Sequence, residues 1–323
     1  MDRAYEIVIK FEITLWFYKI ATPLNYHYLC SLKKQNNMQY FKPYNYTFSE
    51  LSARVETILN EEKPKLNRLH ALKTILGVID LTTLNGSDTQ QKVKELCQMG
   101  INFKNKELDI PSVAAICIYP VFVPTVHRKL SGTGIRTASV AGAFPSGQSP
   151  LEIRVAEVKW AVEQGAEDID MVISRGKLLE GKYDDVFEEV QEIKGVCGDA
   201  HLKVILETGE LNTVANIRKA CELSIMGGAD FLKTSTGKVQ PAATPEAFLI
   251  MLDTIKEFYE MTKGTKIGIK PAGGISTPNE AINYYVLVKH ILGEEWLNKE
   301  LFRIGASRLA GNVNNEIVEL MSV

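Results

Sequence analysis

Two stretches of this chain share one pattern. Phe231-Leu232-Lys233-Thr234-Ser235-Thr236-Gly237-Lys238 and Gly268-Ile269-Lys270-Pro271-Ala272-Gly273-Gly274 each begin apolar, reach a lysine and break into glycines. A barrel strand that carries a functional lysine at its end reads this way. If the two segments are neighbouring strands, Lys233 and Lys270 hold two ammonium groups side by side. A free lysine has a pKa of about 10.4 and is protonated at neutral pH. A second cation together with desolvation lowers that to roughly 7–8, where the amine becomes a nucleophile. Arginine could not take this part, because it does not shed its proton and forms no imine. The pair therefore points to Schiff-base chemistry on a carbonyl substrate.

Other polar residues interrupt apolar strand patterns near their ends: Asp80, Asp170, Glu207 and Ser307. Asp170 sits between Ile169 and Met171, and a carboxylate so placed needs a partner. The two lysines supply one, and Asp170 could then relay a proton during carbinolamine dehydration. The plainer reading is an Asp170–Lys270 salt bridge that only holds the barrel together. Convergence of Asp170, Lys233 and Lys270 at strand ends favours chemistry. Gly268 below Lys270 is expected to leave room for the long side chain. Glu207 either balances charge near the lysines or is structural, and Cys117 reads best as a small core residue.

Glycines form a second cluster. Gly237, Gly273, Gly274 and Gly305 follow or close the last three strand candidates, with Lys238, Ser307 and Arg308 beside them. Glycine lets backbone N–H groups approach an anion, and the loops after the seventh and eighth strands of a barrel often bind phosphate. Ordinary tight turns are the alternative. Thr236-Gly237-Lys238 is not a P-loop, since Leu232 occupies the first glycine position and Val239 follows the lysine.

The elements that must position these residues alternate. Strand candidates are 77–81, 114–119, 136–141, 168–173, 202–206, 230–234, 266–270 and 301–305. Helical stretches include 150–165, 183–196, 212–227, 245–262 and 277–291. Ser149-Pro150, Thr244-Pro245 and Thr277-Pro278 each place a hydroxyl before a first-turn proline. Gly165, Gly195 and Gly227-Gly228 read as helix stops. Eight such units predict a (β/α)8 TIM barrel of the α/β class. A doubly wound open sheet is the runner-up, weakened by the lack of a G-x-G-x-x-G after the first strand. Thr47 to Glu50 fits a capping box that opens an N-terminal helical extension, continued by a helix over 65–76. One domain spans 44–323, with the barrel proper from about 77.

Composition sets bounds. Hydrophobic residues make up 45% of 323, and 37 basic against 39 acidic side chains leave a net charge of −2. That balance gives no bulk basicity for nucleic acid or an anionic membrane. The five cysteines are dispersed and odd in number, which fits a reducing compartment such as the cytoplasm. The five histidines are isolated, so no metal site is expected from them. Residues 1–43 are aromatic-rich and glycine-free and read as a leader of unknown role that could be poorly ordered. Glu12 and Lys19 interrupt its apolar run, short of the ~18–20 residues a membrane span needs.

Six motifs in order resemble the deoxyribose-phosphate aldolase family: Asp80-Leu81-Thr82-Thr83-Leu84-Asn85, Ala115-Ile116-Cys117-Ile118-Tyr119-Pro120, Glu207-Thr208-Gly209-Glu210-Leu211, the Phe231–Lys238 segment, Lys270-Pro271-Ala272-Gly273-Gly274 and Arg303-Ile304-Gly305-Ala306-Ser307. The resemblance runs from about residue 70 to 320. Glu294-Glu295-Trp296-Leu297 looks like the animal branch. It implies a class I aldolase without cofactor or metal, which cleaves 2-deoxy-D-ribose 5-phosphate reversibly to D-glyceraldehyde 3-phosphate and acetaldehyde. Lys233 matches the Schiff-base lysine, Lys270 the lysine that perturbs it, and Asp170 the proton-relay aspartate. The glycine loops with Lys238 and Ser307 match the phosphate site. Asp80, Thr82, Cys117, Glu207 and Thr234 are the candidate contacts to the rest of the sugar. Two positions depart from the pattern: Ser276 stands where many relatives carry arginine, and Arg308 where many carry a small or hydroxyl residue. Arg308 is expected to replace part of the missing charge. Another Schiff-base aldolase, or a phosphate-binding scaffold barrel without turnover, are the competing functions, and homo-oligomerisation is left open.

Overall fold

The computed structural model describes residues 41–322, so nearly all of the expected leader at 1–43 lies outside the described residues. The Thr47 hydroxyl accepts from the Glu50 N–H, and the Glu50 carboxylate accepts from the Thr47 N–H, closing the capping box. The helix it opens, α1 (Phe48–Glu62), buries Leu51, Val55 and Ile58. A turn at Pro64 separates it from α2 (Arg68–Gly77), capped by Asn67. These two helices are the N-terminal extension.

Strand and helix then alternate: β1 (Ile79–Thr82), α3 (Gln90–Asn102), β2 (Ala115–Ile118), α4 (Val123–Leu130), β3 (Arg136–Ala141), α5 (Leu151–Glu163), β4 (Asp168–Val172), α6 (Arg175–Leu179), α7 (Tyr183–Val196), β5 (His201–Ile205), α8 (Thr208–Leu211), α9 (Val214–Met226), β6 (Phe231–Lys233), α10 (Pro245–Met261), β7 (Gly268–Lys270), α11 (Pro278–Leu292), β8 (Ile304–Ala306) and α12 (Leu309–Met321). The strands pair in parallel in chain order from β1 to β7, and β8 pairs with β1. Bridges Ile269–Phe302 and Ala272–Gly305 close the remaining gap between β7 and β8. The sheet is thus a barrel wrapped by helices, as the alternation predicts.

Thr244 and Thr277 cap α10 and α11 as the sequence predicts. Ser149 does not cap α5: Pro150 occupies the cap position and no side chain bonds there, so the serine stands one residue too far out. Gly195 does not stop α7, which runs to Val196; the left-handed turn falls at Gly198. The eighth strand starts three residues later than expected and takes in Gly305, leaving Arg303 just before it. Among the described residues no helix is long and apolar enough to cross a membrane.

Candidate active site

Strand alternation decides what enters the barrel. On β4, Ile169 and Met171 face the helices, which turns Asp168 and Asp170 inward. Register sets Phe231 opposite Gly268 and Lys233 opposite Lys270, so the two lysines are direct neighbours at the strand ends. Gly268 makes room for a different group than expected. A Cβ there would lie 2.3 Å from the Phe231 ring, so the glycine accommodates the aromatic side chain rather than Lys270. The interior is divided. On β2 and β3 it presents Ala115, Cys117, Ala138 and Val140, a small apolar cluster. The charged side chains enter chiefly from β1, β4, β5, β6 and β7, with the Phe231 ring among them.

That charge lies in two tiers. At the mouth, Lys233 Nζ and Lys270 Nζ each donate to Asp170 Oδ2 at 2.7 Å, and Lys270 also donates to Asp80 Oδ2 at 2.5 Å. Below, Arg303 Nη1 donates to Asp80 Oδ1 at 2.7 Å and to Asp168 Oδ2 at 3.1 Å. Lys203 Nζ lies 2.9 Å from Asp168 Oδ2, and Arg136 Nε donates to Asp168 Oδ1 at 3.0 Å. Asp80, Asp168, Asp170, Lys203, Lys270 and Arg303 are fully buried, and Lys233 is 3% exposed.

Burial alone would raise the Asp170 pKa, but Lys233, Lys270 and Lys203 outweigh it and hold the carboxyl well below its usual range. Burial likewise disfavours the Lys270 ammonium, yet Asp170 and Asp80 keep it protonated beyond the usual lysine range. Lys233 differs. Burial lowers its pKa most, Asp170 pushes it back up, and Lys270 lowers it again; the net direction is down. One lysine is locked as a cation and its neighbour is eased toward the free amine. Burial pushes the Cys117 thiol, 4.0 Å from Asp170 Oδ2, up to about 11.

Lys233 also reaches a cleft of about 560 Å³ at the strand C-terminal ends. Its walls include Thr82, Gly237, Lys238, Gly273, Gly274, Gly305, Ser307 and Arg308, together with Ser276. The loops after β6 and β7 touch closely: a Cβ on Gly273 would meet Gly237 Cα at 3.0 Å, and both glycines adopt left-handed φ. Lys238 Nζ spans the cleft to the Leu84 carbonyl. Arg308 is exposed on the rim at the start of α12. Ser276 turns its N–H to Glu280 within the cap of α11.

The remaining candidates lie behind this surface. The Glu207 carboxylate accepts from the Thr236 N–H at 3.2 Å and the Thr236 hydroxyl at 2.5 Å, with Arg175 at 3.8 Å. Its own backbone is left-handed (φ 56°). It therefore shapes the β6 loop instead of facing the cleft. Thr234 Oγ1 accepts from the Ala272 N–H at 3.0 Å and ties the ends of β6 and β7. Asp80 and Cys117 are enclosed below the cleft floor. Asp168, Lys203 and Arg303 escaped the sequence reading. Asp168 and Lys203 carry a signal it could have used, since each lies in an apolar strand, and Asp168 shares the parity of Asp170.

A barrel with a lysine pair and an ionised aspartate at its mouth, opening on glycine loops, has the architecture of a class I aldolase. The family model for DeoC/LacD family aldolases matches residues 74–294, and the chain belongs to this family. It is 46% identical over 253 residues to a Caenorhabditis elegans protein provisionally named deoxyribose-phosphate aldolase, covering 77% of this chain and 82% of that one. It is 42% identical over 252 residues to human deoxyribose-phosphate aldolase, covering 74% and 78%. A solved deoxyribose phosphate aldolase from Aeropyrum pernix shares the fold, with a TM-score of 0.62 at 23% identity over 86% of this chain and all of the other.

Proposed function

We propose that this aldolase cleaves 2-deoxy-D-ribose 5-phosphate to D-glyceraldehyde 3-phosphate and acetaldehyde, reversibly, in the cytoplasm. The observation that carries the reading is Lys233: among the described residues it is the one interior lysine that both lines the cleft and is eased toward its free amine. Its Nζ adds to the C1 aldehyde, and loss of water leaves an iminium. The 3-hydroxyl gives up its proton, the C2–C3 bond breaks toward the iminium, and glyceraldehyde phosphate leaves. The enamine takes a proton at C2, and water then releases acetaldehyde and regenerates the amine. Asp170, held ionised against both ammonium groups, is placed to pass those protons. Lys270 stays charged and keeps Lys233 from doing so. The phosphate fits the glycine loops, with Lys238, Ser307 and Arg308 at hand. The described cysteines are all free, which suits a reducing compartment.

Borohydride added during incubation with acetaldehyde or deoxyribose 5-phosphate tests this. A reduced adduct on Lys233, absent from Lys233→Arg, is the expected result. A folded protein that traps no adduct would end the Schiff-base reading. Trapping with acetaldehyde but no cleavage of deoxyribose 5-phosphate would keep the chemistry and change the substrate.

A further inference from the structure

Among the described residues the barrel interior encloses three carboxylates, Asp80, Asp168 and Asp170, and four cations, Lys203, Lys233, Lys270 and Arg303. With all seven ionised the sum is 4 − 3 = +1. No group in this set exceeds 3% exposure, so solvent cannot screen the excess effectively. The interior becomes neutral when one lysine loses its proton. Lys270 donates to two carboxylates and Arg303 cannot be deprotonated. Lys203 stands within 3.9 Å of all three carboxylates, whereas Lys233 meets Asp170 alone and opens on the cleft.

We propose that Lys203 is a positioning residue for the amine chemistry: it supplies the excess positive charge beneath the mouth and thereby drives the proton from Lys233. The inference rests on the reading of Lys233 as the imine-forming residue. The geometry singles out Lys203 over the other floor cation. Its Nζ is 3.4 Å from Asp170 Oδ1, 2.9 Å from Asp168 Oδ2 and 3.9 Å from Asp80 Oδ2, central to all three carboxylates. Yet it makes no hydrogen bond among the described residues, and neither does Asp170 Oδ1. Lys203 thus acts on the mouth through charge, not through a directed bond. It takes up part of the Asp170 field that would otherwise favour the Lys233 ammonium. Its other side lies 5.6 Å from the Phe231 ring centroid, which fixes its height in the barrel.

The surroundings do not cancel this positive excess, and Arg136 adds to it at the edge. β2 offers only the Cys117 thiol, which stays neutral near pH 7. Arg136 on β3 and His201 on β5 meet Asp168 from the floor's outer edge, at 3.0 and 3.4 Å. Glu207 faces Arg175 outside the interior, and Arg154 and Glu189 pair with each other at 2.8 Å among the helices.

The test is the pH dependence of borohydride trapping at Lys233 with acetaldehyde. Lys203→Met removes the excess, and the limb on which trapping rises with pH should move up by about one pH unit or more. At a fixed pH below that limb, trapping falls about tenfold for every pH unit by which the limb moves. Lys203→Arg keeps the charge and should keep the wild-type limb. Asp168→Asn changes the count the other way and should move the limb down. Combining Lys203→Met with Asp168→Asn restores the count and should return the limb toward wild type, whereas purely local damage would add. If Lys203→Met does not fold, the single Asp168→Asn and Lys203→Arg variants still decide. An unshifted limb in folded Lys203→Met, or a double variant worse than both singles, overturns the inference. Absence of wild-type trapping would instead fail the imine reading itself.

Discussion

The two tiers of the barrel interior are built from the same side chains and are set up for different ends. The floor pairs Asp168 with Arg303, Lys203, Arg136 and His201, well away from the cleft. The mouth shares one carboxylate oxygen, Asp170 Oδ2, between two lysines, and one of those lysines lines the cleft. In the floor, Asp168 meets Arg303, Lys203 and Arg136 together, and these contacts tie strands to one another while leaving positive charge in excess. In the mouth two ammonium groups share Asp170 Oδ2, and Lys270 has Asp80 as a second carboxylate where Lys233 has none, so Lys233 is the less firmly held as a cation. The contrast between the two lysines follows from how many carboxylates each meets, not from residue type.

The sharpest way to separate the tiers is to remove one cation from each. Lys233→Met at the mouth should lower kcat on the order of 10³-fold or more, because no other amine takes its place. Its melting temperature should move little, since Asp170 keeps Lys270 as a partner. Arg303→Met at the floor should reverse the pattern. It strips Asp80 and Asp168 of a shared partner, and breaking buried pairs of this kind costs about 3–5 kcal/mol. Denaturant melts of both variants beside kcat would show the two effects crossing. If Lys233→Met unfolds as readily as Arg303→Met, the tiers are not distinct in this way.

pH separates them with smaller effects. Asp80, Asp168 and Asp170 all have lowered pKa values despite burial, because the interior cations outweigh it. A group lowered in the folded state stabilises fully above its unfolded pKa, about 3.9 for aspartate, and that share is lost as pH falls below it. Denaturation midpoints should therefore be flat near neutrality and decline below about pH 4. Lys233 works in the opposite range. With its pKa below the usual lysine value, imine formation rises with pH before an ordinary lysine of about 10.4 would titrate. The acid limb of stability, below about pH 4, is thus separate from the trapping limb, over which the lowered Lys233 pKa adds only its own rise of stability with pH.

Much of the mouth was legible in the sequence, and little of the floor. Lys233 and Lys270 announce themselves because each ends an apolar run and precedes glycines, and Asp170 because a carboxylate interrupts Ile169 and Met171. The eight-unit alternation carries the barrel, and the Thr47, Thr244 and Thr277 caps carry helix starts. Lys203 interrupts an apolar strand, but its partners come from β1 and β4 and only closure brings them together. Arg303 falls inside the expected strand 301–305, but the strand begins only at Ile304, so its parity there means nothing. For Glu207 the sequence leaves charge balance and a structural role open, and its left-handed backbone and bonds to Thr236 show what the local pattern does not, a carboxylate that supports the β6 loop. Long-range pairing, not local pattern, assigns these residues.

Two glycines give the finest comparison, one in each tier. Gly268 at the floor leaves the Phe231 ring its space, and a Cβ there would sit 2.3–2.6 Å from three ring atoms. Gly305 at the mouth is less crowded: a Cβ would meet Ala272 Cβ at 2.9 Å and Lys270 Cε at 3.1 Å. Gly268→Ala must displace a buried ring wedged beside Lys203 and Arg303, so it should cost about 1–3 kcal/mol or somewhat more. Gly305→Ala must shift Ala272, whose Cβ cannot swing away, as well as the Lys270 stem, and should also cost about 1–3 kcal/mol. The stem's movement matters more than the cost. Lys270 would be pushed from its bonds to Asp80 and Asp170, and its hold on the Lys233 proton would loosen. Gly305→Ala should therefore alter the pH profile of imine trapping as well as the melting temperature, while Gly268→Ala should alter the melting temperature first. A Gly305→Ala protein with a wild-type pH profile would mean that the position of Lys270 at the mouth tolerates more displacement than its two short bonds suggest.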